Sequence, residues 1–243
     1  MADARARFPW LLTAAAALLL ALLVALGVWQ VQRMQWKGRL IADAAAAAAL
    51  PPAPAAEVLA SERPEFRKAV LVCPGLATAP WVELQSIHDG QAGVRLISAC
   101  RDPALDAPVL VDRGFVADGV SARPPVSASD RPVRLTAEVR ETPPPGLMAA
   151  AADARRFYAR DNAAMAEALG LGEAVSPWTF FALDPSNPDW AALRPSAPPA
   201  AFSNNHLGYA ITWFGLALAL VGFYIALLRR RRASSRPAPR AEL

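Results

Sequence analysis

The sequence predicts an α+β membrane protein in which two transmembrane helices flank an extracytoplasmic, mainly antiparallel β domain with a helical insertion. Three observations predict it. First, Trp10–Val28 and Leu207–Leu228 are uncharged apolar runs of 19 and 22 residues. At a rise of ~1.5 Å per residue, about 20 residues cross a ~30 Å hydrocarbon core. Second, short strand-type runs separated by turn residues recur between them. Third, basic residues gather outside the two runs. The chain has 243 residues, 54% of them hydrophobic, and a mean hydropathy of +0.23, and the apolar excess lies in these two runs.

In chain order, residues 1–9 form a cytoplasmic tail and residues 10–30 the first transmembrane helix. Arg5 and Arg7 precede it as they would precede a signal peptide, but the apolar run exceeds the 7–15 residues of a signal's core. The nearest A-x-A pattern, Ala42-Asp43-Ala44, is remote from its end. An uncleaved anchor is expected. Val31–Leu50 is rich in alanine and continues the helix as a stalk that Pro51, Pro52 and Pro54 end. Residues 31–205 make the β-rich domain. Strand runs are Phe66–Val72, Trp81–Ile87, Gly93–Cys100, Pro108–Val116, Val133–Val139 and Trp178–Leu183. Val133, Leu135, Ala137 and Val139 alternate with Arg134, Thr136, Glu138 and Arg140, the period of a half-buried strand. Alternation breaks at Ile97-Ser98, as at a bulge. The number and spacing of the runs suggest an antiparallel sheet or small barrel. Ala149–Leu169 reads as helix in two pieces, with Asp161-Asn162 capping the second and Gly170 and Gly172 stopping it. Asp184–Pro199, with five prolines, is a loop. Residues 206–228 are the second transmembrane helix and residues 229–243 a basic cytoplasmic tail.

Charge sets the orientation. The two tails hold 8 of the 25 basic and 2 of the 21 acidic residues, a net +6, while the rest carries 17 basic against 19 acidic, a net −2. Positive flanks stay cytoplasmic, so both termini face in and the middle is translocated. Arg33, Lys37 and Arg39 oppose this locally, but long loops translocate regardless of charge. The basic tails read as topology signals and phospholipid contacts, not as a nucleic-acid interface. Cys73 and Cys100 lie in the translocated part. A disulfide is permitted there, though two buried thiols are the expectation for a domain of this size. There is no C-x-x-C, H-E-x-x-H, P-loop, G-x-G-x-x-G or G-x-S-x-G, and the histidines are His88 and His206 alone. No enzymatic activity is expected.

Three motifs stand together: Gly27-Val28-Trp29-Gln30 with Arg33 and Trp36-Lys37; Val109-Leu110-Val111-Asp112-Arg113-Gly114-Phe115-Val116; and Asn204-Asn205-His206-Leu207-Gly208-Tyr209-Ala210-Ile211-Thr212-Trp213-Phe214-Gly215-Leu216. Phe66-Arg67 and Trp178 to Asp184 fit the same pattern. In order and placement the chain resembles the surfeit-locus family of cytochrome c oxidase assembly factors, which includes the yeast Shy protein, from Gly27 to Tyr224. Asp112 and Phe115 stand where that family usually has Asn and often Trp. The resemblance implies a non-enzymatic role in haem-copper oxidase assembly. It implies binding of haem a and assistance in its insertion into the catalytic subunit, with the oxidase and the haem a synthesis machinery as partners. It also implies location in the cell inner membrane, with the main domain periplasmic. The alternative class is a membrane-anchored sensor, chaperone or scaffold that binds no cofactor.

The resemblance makes His206 the haem and metal ligand. Tyr209, Ala210 and Trp213 share its helical face at i+3, i+4 and i+7, and Trp29, Arg33 and Trp36 share one face of the first helix. The cofactor-binding set is therefore His206, Tyr209, Trp213, Trp29 and Arg33, with Arg33 or Lys37 meeting propionates. The plainer alternative for all of them is an aromatic belt with snorkelling cations. Arg113 either binds an anion or, as is commoner, pairs with a carboxylate. Gly27 suits close approach to the second helix and its Gly208, Gly215 and Gly222.

Overall fold

The computed structural model describes residues 9–146, 149–197 and 204–234. Unit one, residues 1–41 with 202–243, carries the two long helices, and residues 42–201 form a second, sheet-based unit.

Helix α1 spans Trp10–Ala49 and α4 spans His206–Ser234. Both are strongly apolar along most of their length, and little of that apolar stretch is buried inside the protein. A soluble core helix of that composition would be covered. These two are long and apolar enough to cross a bilayer, and they expose the surface that lipid would cover. The helices pair antiparallel. Thr13 Oγ1 meets the Tyr224 hydroxyl at 2.5 Å, and the Asn204 amide nitrogen donates to the Met34 carbonyl at 3.1 Å. Gly27 lies against the ring of Phe214, where a Cβ would come within 2.7 Å. Glycine thus permits the approach, as expected, but its partner is an aromatic ring. Gly208, Gly215 and Gly222 face open space.

In the second unit, β1 (Ala53–Pro54) and α2 (Ala55–Leu59) precede β2 (Lys68–Pro74). Then come β3 (Val82–His88), β4 (Gln91–Cys100), β5 (Val109–Ala117) and β6 (Pro132–Glu141). β7 (Arg156–Phe157), α3 (Asn162–Ala168) and β8 (Trp178–Ala182) complete it. Among the described residues the strands form one sheet in the order β1-β2-β6-β8-β5-β4-β3-β7. The hairpin β3-β4 and the pairs β4-β5, β2-β6 and β6-β8 are antiparallel; β5-β8, β1-β2 and β3-β7 are parallel. The bulge falls between Arg95 and Ile97, next to where the alternation breaks. Alternation sets the core: Ala69, Leu71 and Cys73 of β2 and Leu135, Ala137 and Val139 of β6 enter one apolar cluster. β5 is buried on both faces, with Val109 and Val111 in that cluster and Leu110 in another.

Two expectations are corrected. Cys73 and Cys100 are a disulfide, not separate thiols. β2 and β4 stand four strand positions apart, ~19 Å in a flat sheet at ~4.8 Å per strand. Their Cα atoms are 5.2 Å apart. The sheet must curl until these strand ends meet, and the bond staples the curl. The helical reading of Ala149–Leu169 holds only for α3. There Asp161 accepts from the Ala164 amide at 3.1 Å as N-cap, and Gly170 takes a left-handed φ of 74° after the end. Residues 149–161 instead lay β7 along β3, because the edge of β3 needs hydrogen-bond partners and Glu83 draws Arg156 in. Leu147 and Met148 lie outside the described residues.

Candidate functional site

The candidate site is where α4 begins beside α1. His206 is the first residue of α4, half-buried, and its Nδ1 lies 2.6 Å from Oε1 of Gln30. Its Nε2 makes no hydrogen bond to a described residue. Trp29 stands edge-on to the imidazole, with centroids 6.5 Å apart and planes at 82°. Packing two helices at Gly27 and tying Asn204 to Met34 brackets this contact on both sides. Asn204 Oδ1 is a buried acceptor with no hydrogen-bond partner among the described residues, at the same end of the helix pair.

The expected residues divide. His206 and Trp29 come together. Arg33 stacks its guanidinium 3.9 Å from the centre of the Trp36 ring, one helical turn away. Trp213 is half-buried, while Tyr209 is 60% exposed and makes no ring contact with His206. Gln30 is the residue that sequence reasoning passed over. Its signal was an amide side chain just past an uncharged apolar run, where a polar group needs a partner. His88 belongs to the sheet unit, where it packs against Phe115 at 5.3 Å and meets Asp89 at 3.5 Å. Among the described residues no group of three His, Cys, Asp or Glu could hold a metal ion.

The second motif, on β5, is a buried charge network. Oδ2 of Asp112 accepts from Arg95 Nε and from Arg160 Nη2, each at 2.7 Å, and Oδ1 accepts from the Gly114 amide at 3.2 Å. Arg95 also donates to Ser196. The guanidinium groups of Arg160, Arg140 and Arg95 lie 4.7, 5.6 and 5.8 Å from the Phe181 ring centre. Arg113 departs from expectation: among the described residues it meets no carboxylate. It donates to Ser186 Oγ at 3.0 Å, Ala77 O at 2.9 Å and Ser98 Oγ at 3.4 Å. Burial alone pushes its pKa down to about 10, so it stays charged at neutral pH. Gly114, at φ +130°, lets the backbone of Arg194 pass where a Cβ would sit 2.3 Å from its carbonyl oxygen. This motif organises the sheet.

A family model described as the SURF1 family matches residues 17–218. The chain is 26% identical over 218 residues to Surfeit locus protein 1 of Mus musculus, covering 80% of this chain and 68% of that protein. It is 27% identical over 219 residues to Surfeit locus protein 1 of Homo sapiens, covering 80% and 70%. The similarity to the Gallus gallus protein of that name is also 27%.

Proposed function

The chain belongs to the SURF1 family, and from that premise we propose that it is a non-enzymatic assembly factor for cytochrome c oxidase that binds haem a and assists its insertion into the catalytic subunit. The observation that carries the cofactor reading is His206: one ring nitrogen is held by Gln30 and the other makes no hydrogen bond to a described residue. An imidazole in that state is what axial ligation of haem iron requires. The residues present fit the group. His206 would be the ligand, Trp29 and Trp213 the apolar contacts, and the Arg33 fork would meet a propionate. Tyr209, well exposed one turn into α4, borders the site. Haem a, when bound, supplies an iron centre and two carboxylates. An open site beside a helix start suits a carrier, since a transferred cofactor must leave as well as bind.

In this reading the protein sits in the cell inner membrane with both termini cytoplasmic and the sheet unit periplasmic. The net +6 of the tails and a disulfide of the kind that persists in oxidising compartments support that placement. Partners are the oxidase catalytic subunit and the machinery that makes haem a.

The test is purification from cells that make haem a, followed by a pyridine haemochrome spectrum. His206→Ala should lose most of the bound haem with the amount of membrane protein unchanged. Arg33→Ala should lose less, because the iron ligand and apolar contacts remain. Full haem content and an unchanged spectrum in His206→Ala would overturn the ligand role. A wild type without haem a whose deletion still blocks oxidase assembly would favour a cofactor-free scaffold.

A further inference from the structure

We propose that Gln30 is the positioning residue that fixes the tautomer of His206, so that Nε2 and not Nδ1 is presented to an iron centre. The inference rests on the haem reading of this site. Gln30 Oε1 and His206 Nδ1 are 2.6 Å apart, a short hydrogen bond. An amide oxygen only accepts, so the proton is on Nδ1 and the lone pair on Nε2. A histidine side chain in water favours the opposite tautomer, with the proton on Nε2, so holding it on Nδ1 takes a partner. A ring N–H donated to a fixed acceptor both sets ring orientation and raises the basicity of the ligating nitrogen.

The geometry around the pair limits its freedom. Gln30 lies in α1, one turn after Gly27, where Phe214 fills the space a side chain would take. Asn204, two residues before His206, is tied to the Met34 carbonyl. Both partners thus come from helical backbone held at fixed separation, and Trp29 packs edge-on against the ring. A half-buried amide at the end of an apolar run also needs this partner, since an unpaired one costs free energy.

The test separates the inference from the haem reading. The full chain, without haem in detergent micelles, is labelled with ¹⁵N-histidine. It holds only His88 and His206, so His88→Gln assigns the signals. Expected for His206 is a protonated Nδ1 and an unprotonated Nε2. Gln30→Leu should shift the proton towards Nε2, and Gln30→Glu should keep it on Nδ1. A merely structural role would not move these shifts. Haem a affinity should fall by roughly tenfold or more in Gln30→Leu and persist in Gln30→Glu. Gln30→Met, close in shape and without an acceptor, repeats the reading if Gln30→Leu does not accumulate. A wild type with the proton on Nε2 overturns the inference, because Gln30 then donates through its amide nitrogen. Unchanged haem affinity in Gln30→Leu, with binding abolished in His206→Ala, overturns the inference alone. Unchanged haem content in both overturns the haem reading and the inference with it.

Discussion

Asp112 and Arg113 are neighbours on β5, face opposite sides of the sheet, and bury their charge in opposite ways. Asp112 gathers two guanidinium groups, from Arg95 and Arg160. Arg113 is surrounded by two hydroxyls and a carbonyl, which spread the cost of desolvation over three hydrogen bonds. Asp112→Ala takes from buried Arg95 and half-buried Arg160 the one carboxylate each pairs with among the described residues. It should cost about 3–5 kcal/mol of stability, read by chemical denaturation of the purified protein; a loss under about 1 kcal/mol would refute the network. Glu83 is the titrating counterpart. Burial pushes its carboxyl up, but hydrogen bonds from Arg156 and Arg123 outweigh that and hold it below the ordinary 4.5. A lowered folded value means stability that is present above pH 4.5 and lost as pH falls through the folded value. Melting temperature should therefore drop with acid below pH 4.5, and Glu83→Gln should flatten that part of the profile. How far such residues were legible depends on sequence distance. His206 and Trp29 announce themselves by type and helical spacing. The partners of Arg113 are 15, 36 and 73 positions away and chemically unmarked, so its environment had to come from the fold.

At the scale of elements, the strands visible in advance are those with a local signal, and β6 is the clearest because its apolar and polar residues alternate throughout. β1 and β7 are two residues long and carry no period at all. Strand order was also beyond reach. β8 lies between β5 and β6, parallel to one and antiparallel to the other, and nothing in Trp178–Ala182 encodes that choice. The curl was hinted at by strand number but is made specific by Cys73–Cys100, which joins strands that are not neighbours. That bond closes a loop of 27 residues. In the chain-entropy view such a loop is worth about 3.5 kcal/mol. The double substitution Cys73→Ser and Cys100→Ser should lower stability by that order, measured by denaturant unfolding under non-reducing conditions. If the doubly substituted protein unfolds at the wild-type denaturant concentration, the bond is not the staple of the curl.

For the whole molecule the decisive quantity is which side of the membrane receives the sheet unit, because that fixes where the cofactor proposed for His206 would be offered. Helix α1 has 40 residues, about 60 Å at 1.5 Å per residue, twice what a bilayer core needs. Its uncharged part ends at Gln32, and Arg33, Lys37 and Arg39 follow on the continuing helix. Taken alone, these three cations would draw that end of the helix towards the cytoplasm. Against them stand Arg5 and Arg7 before α1, and Arg229, Arg230, Arg231 and Arg232 at the end of α4. The positive-inside bias counts charges near the ends of the spans, and long intervening segments cross regardless of their own charge. The tetra-arginine end therefore outweighs the local exception. The disulfide adds an independent argument, because reducing cytosol would keep Cys73 and Cys100 as thiols. Alkaline phosphatase, which folds only where disulfides form, should be active when fused after Asp130 and inactive when fused at the C-terminus. Replacing all four arginines from Arg229 to Arg232 with alanine should produce a mixed population, since Arg33, Lys37 and Arg39 then compete with only Arg5, Arg7, Arg236 and Arg240. Activity at the C-terminal fusion of the unmodified chain would invert the topology and move the His206 site to the cytoplasmic end of the helix pair.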